Sequence, residues 1–291
     1  MLNPLSIKKA EEDSQEEVLV RKSLDGDKEA LDRLIRLHQP FIYNVAWKMT
    51  HHPQDALDLT QETLLKVITK LSQFNFKSSF RTWLYRIVVN EFLQAKRKKH
   101  EAQFSSFEAY GAKLDAIPNP DLTIEEEITH KELSKEMQIR CMSGMLMCLT
   151  KEQRLIYILG DSFGVDHKVG AAVFDISPQN FRVKLHRARK DLYSFMNNKC
   201  GLVNKSNPCR CPKKAKALIS LGSLNEESKQ FNMTYKKRIA DYVDAHEEEA
   251  RDKFEEKYTA LFRAHPAKDS FDSETIIKEI LNDEALMKHF K

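Results

Sequence analysis

The chain has 291 residues, of which 41% are apolar and 31% charged, with a formal net charge of +4. That balance excludes collagenous and wholly disordered classes, and at roughly 150 residues per domain it leaves room for about two compact units. Eight glycines and nine prolines are too few for an all-β chain that turns every ten residues or so, so the expected fold class is all-α.

The N-terminus, MLNPLSIKKAEEDSQEE, turns acidic where a secretory signal would become apolar, which argues against export by that route. The longest uncharged apolar stretch, near Cys141 to Leu149, is about half the twenty or so residues a bilayer crossing needs. The expectation is a cytoplasmic protein with no membrane span. Five cysteines, an odd number, argue against a disulfide framework in such a compartment.

Charge is segregated along the chain. From Arg81 to Lys99 there are six lysines and arginines against one acid, Glu91; from Ile176 to Lys216 there are eleven against Asp191 alone. Two separated basic segments suit a polyanion touched at two places, and nucleic acid is the natural one.

Residues 15–100 read as helices in series, forming a first domain. Asp25-Gly26-Asp27 breaks the pattern, Ala30, Leu31, Leu34, Ile35 and Leu37 then recur at helical spacing, and Pro40 and His52-Pro53 punctuate the segments that follow. From about Pro53 to Leu71, Asp55, Asp58 and Glu62 share one stripe of a helix whose packing side is Leu64, Val67, Ile68 and Leu71. The helix dipole accounts for acids in the first turn, but Glu62 lies too far along for that, so the acidic face invites a basic partner. In the next helix Phe80, Trp83, Leu84 and Ile87 mark the buried side, while Arg81, Arg86, Asn90 and Arg97 project elsewhere. Rings interleaved with cations suit unpaired bases and their phosphates, and the preceding residues 75–79 could wrap an extruded base.

The order DALDLTQETLLKVITKLSQF then SSFRTWLYRIVVNEFLQAKRKK resembles region 2 of bacterial RNA polymerase sigma factors of the extracytoplasmic-function type. The resemblance implies that Asp55, Asp58, Leu59, Gln61 and Glu62 dock on the clamp coiled coil of RNA polymerase core. It also implies that Ser78, Ser79, Phe80, Arg81, Trp83 and Asn90 surround the −10 promoter element and help to melt it. Leu57 departs from the pattern, which usually has an acid there.

Residues 101–132, with Ser105, Ser106, Gly111 and Ile117-Pro118-Asn119-Pro120, read as a linker. A second helical domain is expected over 133–199. Within it Asp166 can cap a short helix, the Asp175 turn follows, and Ser177-Pro178 opens a longer helix with Phe181, Leu185, Ala188, Leu192 and Phe195 on its packing face. Amides near its start and cations throughout suit the major groove, in a helix-turn-helix. LTKEQRLIYILGDSFG with SPQNFRVKLHRARKDL resembles region 4 of the same family, implying −35 recognition through Ser177, Gln179, Asn180, Arg182, Lys184 and Arg187. Val169-Gly170-Ala171-Ala172 departs from the acids common in the first of these two helices.

Residues 200–216 hold Cys200, Cys209 and Cys211. No cofactor is required by any other feature, and here three readings stand open: bound zinc with a fourth ligand from Cys148, Cys141, His186 or a later histidine, a redox-responsive thiol cluster, or a structural knuckle. Residues 225–291, with sixteen acids against twelve bases, read as a helical extension able to serve as a partner or regulatory surface.

The expected function is therefore a non-enzymatic sigma factor with core polymerase and promoter DNA as partners and room for an anti-sigma factor. The alternative is a free-standing helix-turn-helix regulator with an N-terminal oligomerisation or sensor domain. No clustered acids or His/Cys set suggests a catalytic centre.

Overall fold

A computed structural model of the chain describes residues 10–95 and 106–225, with side chains from residue 14 onward. Lys96 to Lys99, including Arg97, and all of the expected C-terminal extension beyond Asn225 lie outside the described residues. Within them every regular element is helical, apart from a single backbone bridge between Cys200 and Cys209. No described helix is long and apolar enough to cross a membrane. The chain divides into two compact units: 10–95 with 158–184, and 106–157 with 185–225, among the described residues.

In the first unit α1 (Ala10–Leu24) ends at a turn in which Gly26 takes a left-handed φ of 91°, a conformation that glycine adopts without a Cβ penalty. Asp27 then caps α2 (Lys28–Thr50), accepting from the amides of Glu29 and Ala30 at 2.9 and 3.1 Å. This satisfies two of the orphan donors of the first turn. The sequence reading breaks the helix at Pro40; the structure runs straight through it. An interior proline forfeits one backbone bond, at a cost of about 3 kcal/mol. Here every residue from Phe41 to Thr50 is buried, and Asn44 Nδ2 donates to the Pro40 carbonyl at 2.7 Å. Burial of that whole segment outweighs the lost bond. Leu37, expected inside, is 50% exposed, whereas His38 beside it is fully buried.

α3 (Pro53–Lys70) packs along α2 and buries Leu64, Val67 and Ile68 as its spacing predicts. A 3₁₀ turn (Leu71–Gln73) and a short loop lead into α4 (Phe80–Gln94), capped by Ser79 through the Thr82 amide at 3.2 Å. The unit is completed by a π turn over Ile158–Ser162, α9 (His167–Phe174) and the first turns of α10 (Pro178–Lys199). α9 packs on α4, where Arg86 Nε donates to the Ala172 carbonyl at 2.6 Å and its Nη2 lies 3.4 Å from Asp175.

The second unit contains α5 (Phe107–Ala116), α6 (Ile124–Thr129), α7 (Lys131–Cys148), α8 (Lys151–Tyr157), the remainder of α10 and α11 (Cys211–Ser220). Much of the segment read as a linker is thus helical. Ser106 caps α5, and Thr123 with Glu126 forms a reciprocal capping box on α6. Two buried cations close helix ends. Arg154 donates to the carbonyls of Leu146, Met147 and Leu149 at 3.0 to 3.2 Å, and Lys214 to those of Leu114 and Ile117. Both add donors at helix ends, where the carbonyls of the last turn run short of backbone partners.

Candidate nucleic-acid interface

On α3, Glu62 is exposed while Asp55, Asp58 and Gln61 are half-buried. Asp58 accepts from Gln54 Nε2 at 3.0 Å, one turn earlier, and Asp55 lies 3.8 Å from His52 Nδ1. The three acids share a face as their spacing requires. Leu59 does not join them: it is 7% exposed and packs into the core, so it holds the helix in place rather than offering a contact surface.

The loop before α4 is exposed from Asn75 to Ser79. Asn75 Oδ1 accepts from the Lys77 amide at 3.2 Å, tightening the turn, and Phe76 takes a left-handed φ of 59°. That conformation is rare for a bulky residue and belongs to held loops. Two neighbours hold the Phe76 ring: the Arg21 guanidinium stands 4.1 Å from its centroid, and the Phe74 ring lies 4.6 Å away. Phe74 also meets Phe80 and Trp83 at 5.5 and 5.4 Å. The result is an aromatic cluster topped by an exposed hydroxyl-bearing loop. Phe76 lies within the residues 75–79 that the sequence singles out, whereas Arg21 escapes sequence reasoning because only the fold brings α1 to this loop.

Of the residues expected around the −10 element, Ser78, Ser79 and Asn90 are exposed and Trp83 is half-buried. Phe80 is 5% exposed and serves the core. Arg81 is committed inward: its Nε donates to both carboxylate oxygens of Glu16 at 3.1 Å. Glu16 in turn lies 3.0 Å from His38 Nε2, and His38 Nδ1 is 3.2 Å from the Tyr85 hydroxyl. Burial alone would raise the Glu16 carboxyl, but the contacts with His38 and Arg81 outweigh it and hold Glu16 below its usual value. In this structure Arg81 is thus a half-buried strut between α4 and α1.

The helix-turn-helix forms at the expected residues. Asp166 caps α9 through the Lys168 amide at 2.8 Å, Asp175 turns the chain with a φ of 56°, and Ser177 caps α10 through the Asn180 amide at 3.1 Å. Along α10, Ser177, Gln179, Asn180, Arg182 and Arg187 are exposed and Lys184 half-buried. Arg182 donates to Gln179 Oε1 at 2.8 Å, which aligns a guanidinium and an amide on one exposed strip. The departure at Gly170 has a packing reason. A Cβ there would stand 2.6 Å from the Phe181 ring, which is fully buried. Gly170→Val is therefore expected to destabilise the first unit by about 1–3 kcal/mol through overpacking, as read from urea denaturation; an unchanged midpoint would contradict this account of the glycine.

Among the described residues no three His, Cys, Asp or Glu side chains converge on one metal position as they stand. Cys200, Cys209 and Cys211 are each half-buried and free.

Two family descriptions match this chain: Sigma-70 region 2 over residues 34–101 and Sigma-70, region 4 over residues 139–192. The ECF RNA polymerase sigma factor SigE of Mycolicibacterium smegmatis is 28% identical over 174 residues, 59% of this chain and 64% of its own length. RNA polymerase sigma factor YlaC of Bacillus subtilis is 26% identical over 169 residues, covering 58% and 93% of the two chains. ECF RNA polymerase sigma factor SigW of the same organism is 22% identical over 184 residues, covering 60% and 96%. The matched chain therefore spans just under two thirds of the first relative and nearly all of the other two. A region 2 followed by a helix-turn-helix region 4 defines a sigma-70-type protein of transcription initiation. With these two regions in this order, the chain is similar to RNA polymerase sigma factors, SigE and SigW among them being of the extracytoplasmic-function type.

Proposed function

We propose that this sigma factor docks on the clamp coiled coil of core RNA polymerase through the acidic face of α3. The loop 75–79 with Trp83 and Asn90 then engages the −10 element and promotes its melting, and α10 reads the −35 element. The observation that carries this reading is the exposed, capped turn at 75–79, set on an aromatic cluster and followed by α4. A loop of that kind offers hydroxyls and backbone to an unstacked base, with rings beneath it for support. Docking converts two weak DNA contacts into joint binding through effective concentration. The protein acts as a dissociable, non-enzymatic subunit in the cytoplasm, and its exposed basic helix is also a surface that an anti-sigma factor could cover.

Reconstituted transcription with core polymerase on a genomic library is the direct test. Initiation from a set of promoters sharing two boxes is expected; association with core but no initiation anywhere would overturn the reading. With about four phosphate contacts from Arg182, Lys184, Arg187 and Arg189, promoter affinity of the holoenzyme should fall about 100-fold between roughly 50 and 200 mM salt. Salt-independent binding, measured by fluorescence anisotropy, would contradict phosphate contacts from α10.

A further inference from the structure

One residue of the exposed loop before α4 is held against its own backbone preference. Phe76 takes a φ of 59°, in the left-handed region that glycine enters freely and bulky residues rarely adopt. A turn that needed only this shape would be served best by glycine. The chain instead places a ring there, leaves it 36% exposed and secures it from a helix distant in sequence.

The hold runs from α1 to α4. Arg21 Nε and Nη2 donate to Glu17 Oε1 at 3.0 and 2.6 Å, one turn earlier on α1. Glutamate four residues before a cation is the favourable order on a helix, and the pair aims the guanidinium. It stands 4.1 Å from the Phe76 centroid, well within the range at which a ring attracts a cation. Phe76 meets Phe74 at 4.6 Å, and Phe74, itself buried, meets Phe80 and Trp83 of α4 at 5.5 and 5.4 Å. The backbone is fixed as well, by Asn75 Oδ1 accepting from the Lys77 amide and by the Ser79 cap of α4. Arg21 and Glu17 are both well exposed, so their pairing adds little to global stability. What it governs is the position of one loop.

We propose that Arg21 is a positioning residue for promoter opening: it pins the Phe76 ring against Phe74 and so keeps the loop 75–79 in the shape that receives an extruded base. The inference rests on the −10 reading of that loop and adds to it a residue of α1, which that reading does not use. A loop already in its receiving shape loses less conformational freedom when a base enters it. Releasing the ring raises that cost at the opening step. Docking through α3 and −35 contacts through α10 involve neither Arg21 nor Phe76 and are spared.

The test compares full-length wild type with Arg21→Ala, Arg21→Lys, Phe76→Gly and the double variant Arg21→Ala with Phe76→Gly. Glycine keeps the left-handed turn and removes only the ring. Each holoenzyme is mixed with a duplex promoter recovered from the genomic-library transcription and carrying 2-aminopurine in its −10 element, and opening is followed by fluorescence. Arg21→Ala should slow opening about 2- to 5-fold at unchanged core affinity, and Arg21→Lys should restore most of it because an ammonium keeps the cation–ring contact. Phe76→Gly should lose at least as much as Arg21→Ala, and the double variant no more than Phe76→Gly. Without any DNA, tryptic cleavage after Lys77 should rise about 2- to 5-fold in Arg21→Ala at unchanged helicity, since proteolysis follows the population of the released loop. Unchanged opening or unchanged cleavage in Arg21→Ala overturns the proposal. So do additive effects in the double variant, which would put Arg21 on a phosphate instead. A wild-type holoenzyme that forms but opens no promoter overturns the −10 reading itself, and the cleavage result then still decides whether Arg21 pins the loop.

Discussion

Reversing two charges on α3, with Asp58→Lys and Glu62→Lys together, should lower affinity for core polymerase by about 30- to 700-fold. The estimate follows from like-charge juxtaposition at an interface, about 2–4 kcal/mol for the pair, with each 1.4 kcal/mol worth about a factor of ten. Glu62 is exposed and Asp58 half-buried, and the hydrophobic side of the helix is untouched, so far-UV circular dichroism should match wild type. Glu62→Ala alone removes an attraction without adding a repulsion and should cost well under tenfold. The defect of the double variant should also narrow as salt rises, because repulsion between exposed charges is screened. Anisotropy titrations of labelled protein with core at two salt concentrations check both points. Undiminished affinity of the double reversal would remove α3 as the docking surface.

Arg81→Ala should destabilise the first unit by up to about 3–5 kcal/mol, the upper cost of breaking a buried ion pair, since the Glu16 carboxylate keeps only His38. Glu16 is 3% exposed and receives Arg81 Nε on both oxygens. Pairing Arg81→Met with Glu16→Gln should recover part of that loss, since the second change removes the orphaned charge. Additivity of the two single variants in a urea-denaturation cycle would show that the pair is uncoupled. The pH dependence has a definite sign. The Glu16 carboxyl is depressed in the folded protein from its ordinary 4.5, so its contribution is fully present above that value. It is lost as pH falls through the lower folded value. Wild type should therefore weaken more steeply than the Glu16→Gln variant below about pH 4.5. A loss of transcription in Arg81 variants that tracks this lost stability is expected from a strut; normal stability with a specific loss of −10 recognition would place Arg81 on the DNA instead.

Local features were largely legible in the sequence. Asp27, Ser79, Asp166 and Ser177 carry short polar side chains at helix starts, and each caps the helix that follows. The acidic face of α3 and the amide and cation strip of α10 follow from periodicity alone. The failures share one cause. Pro40 reads as a break because the sequence shows the lost backbone bond but not the burial of Phe41 to Thr50. Residues 101–132 read as a linker because α5 and α6, which lie in its described part, are short and turn-rich at their ends, although Ser106 and Thr123 signal both starts.

Sequence by itself determined the helical class, the two basic segments and the sites where helices begin, because caps and amphipathic faces act over three or four residues. Tertiary structure decided which charges have which partners. Arg81 is drawn to Glu16 across 65 positions and Arg86 to α9 across 86. Those pairings arise when helices bury their apolar sides together and leave polar groups to satisfy one another in low dielectric. No local periodicity encodes that choice.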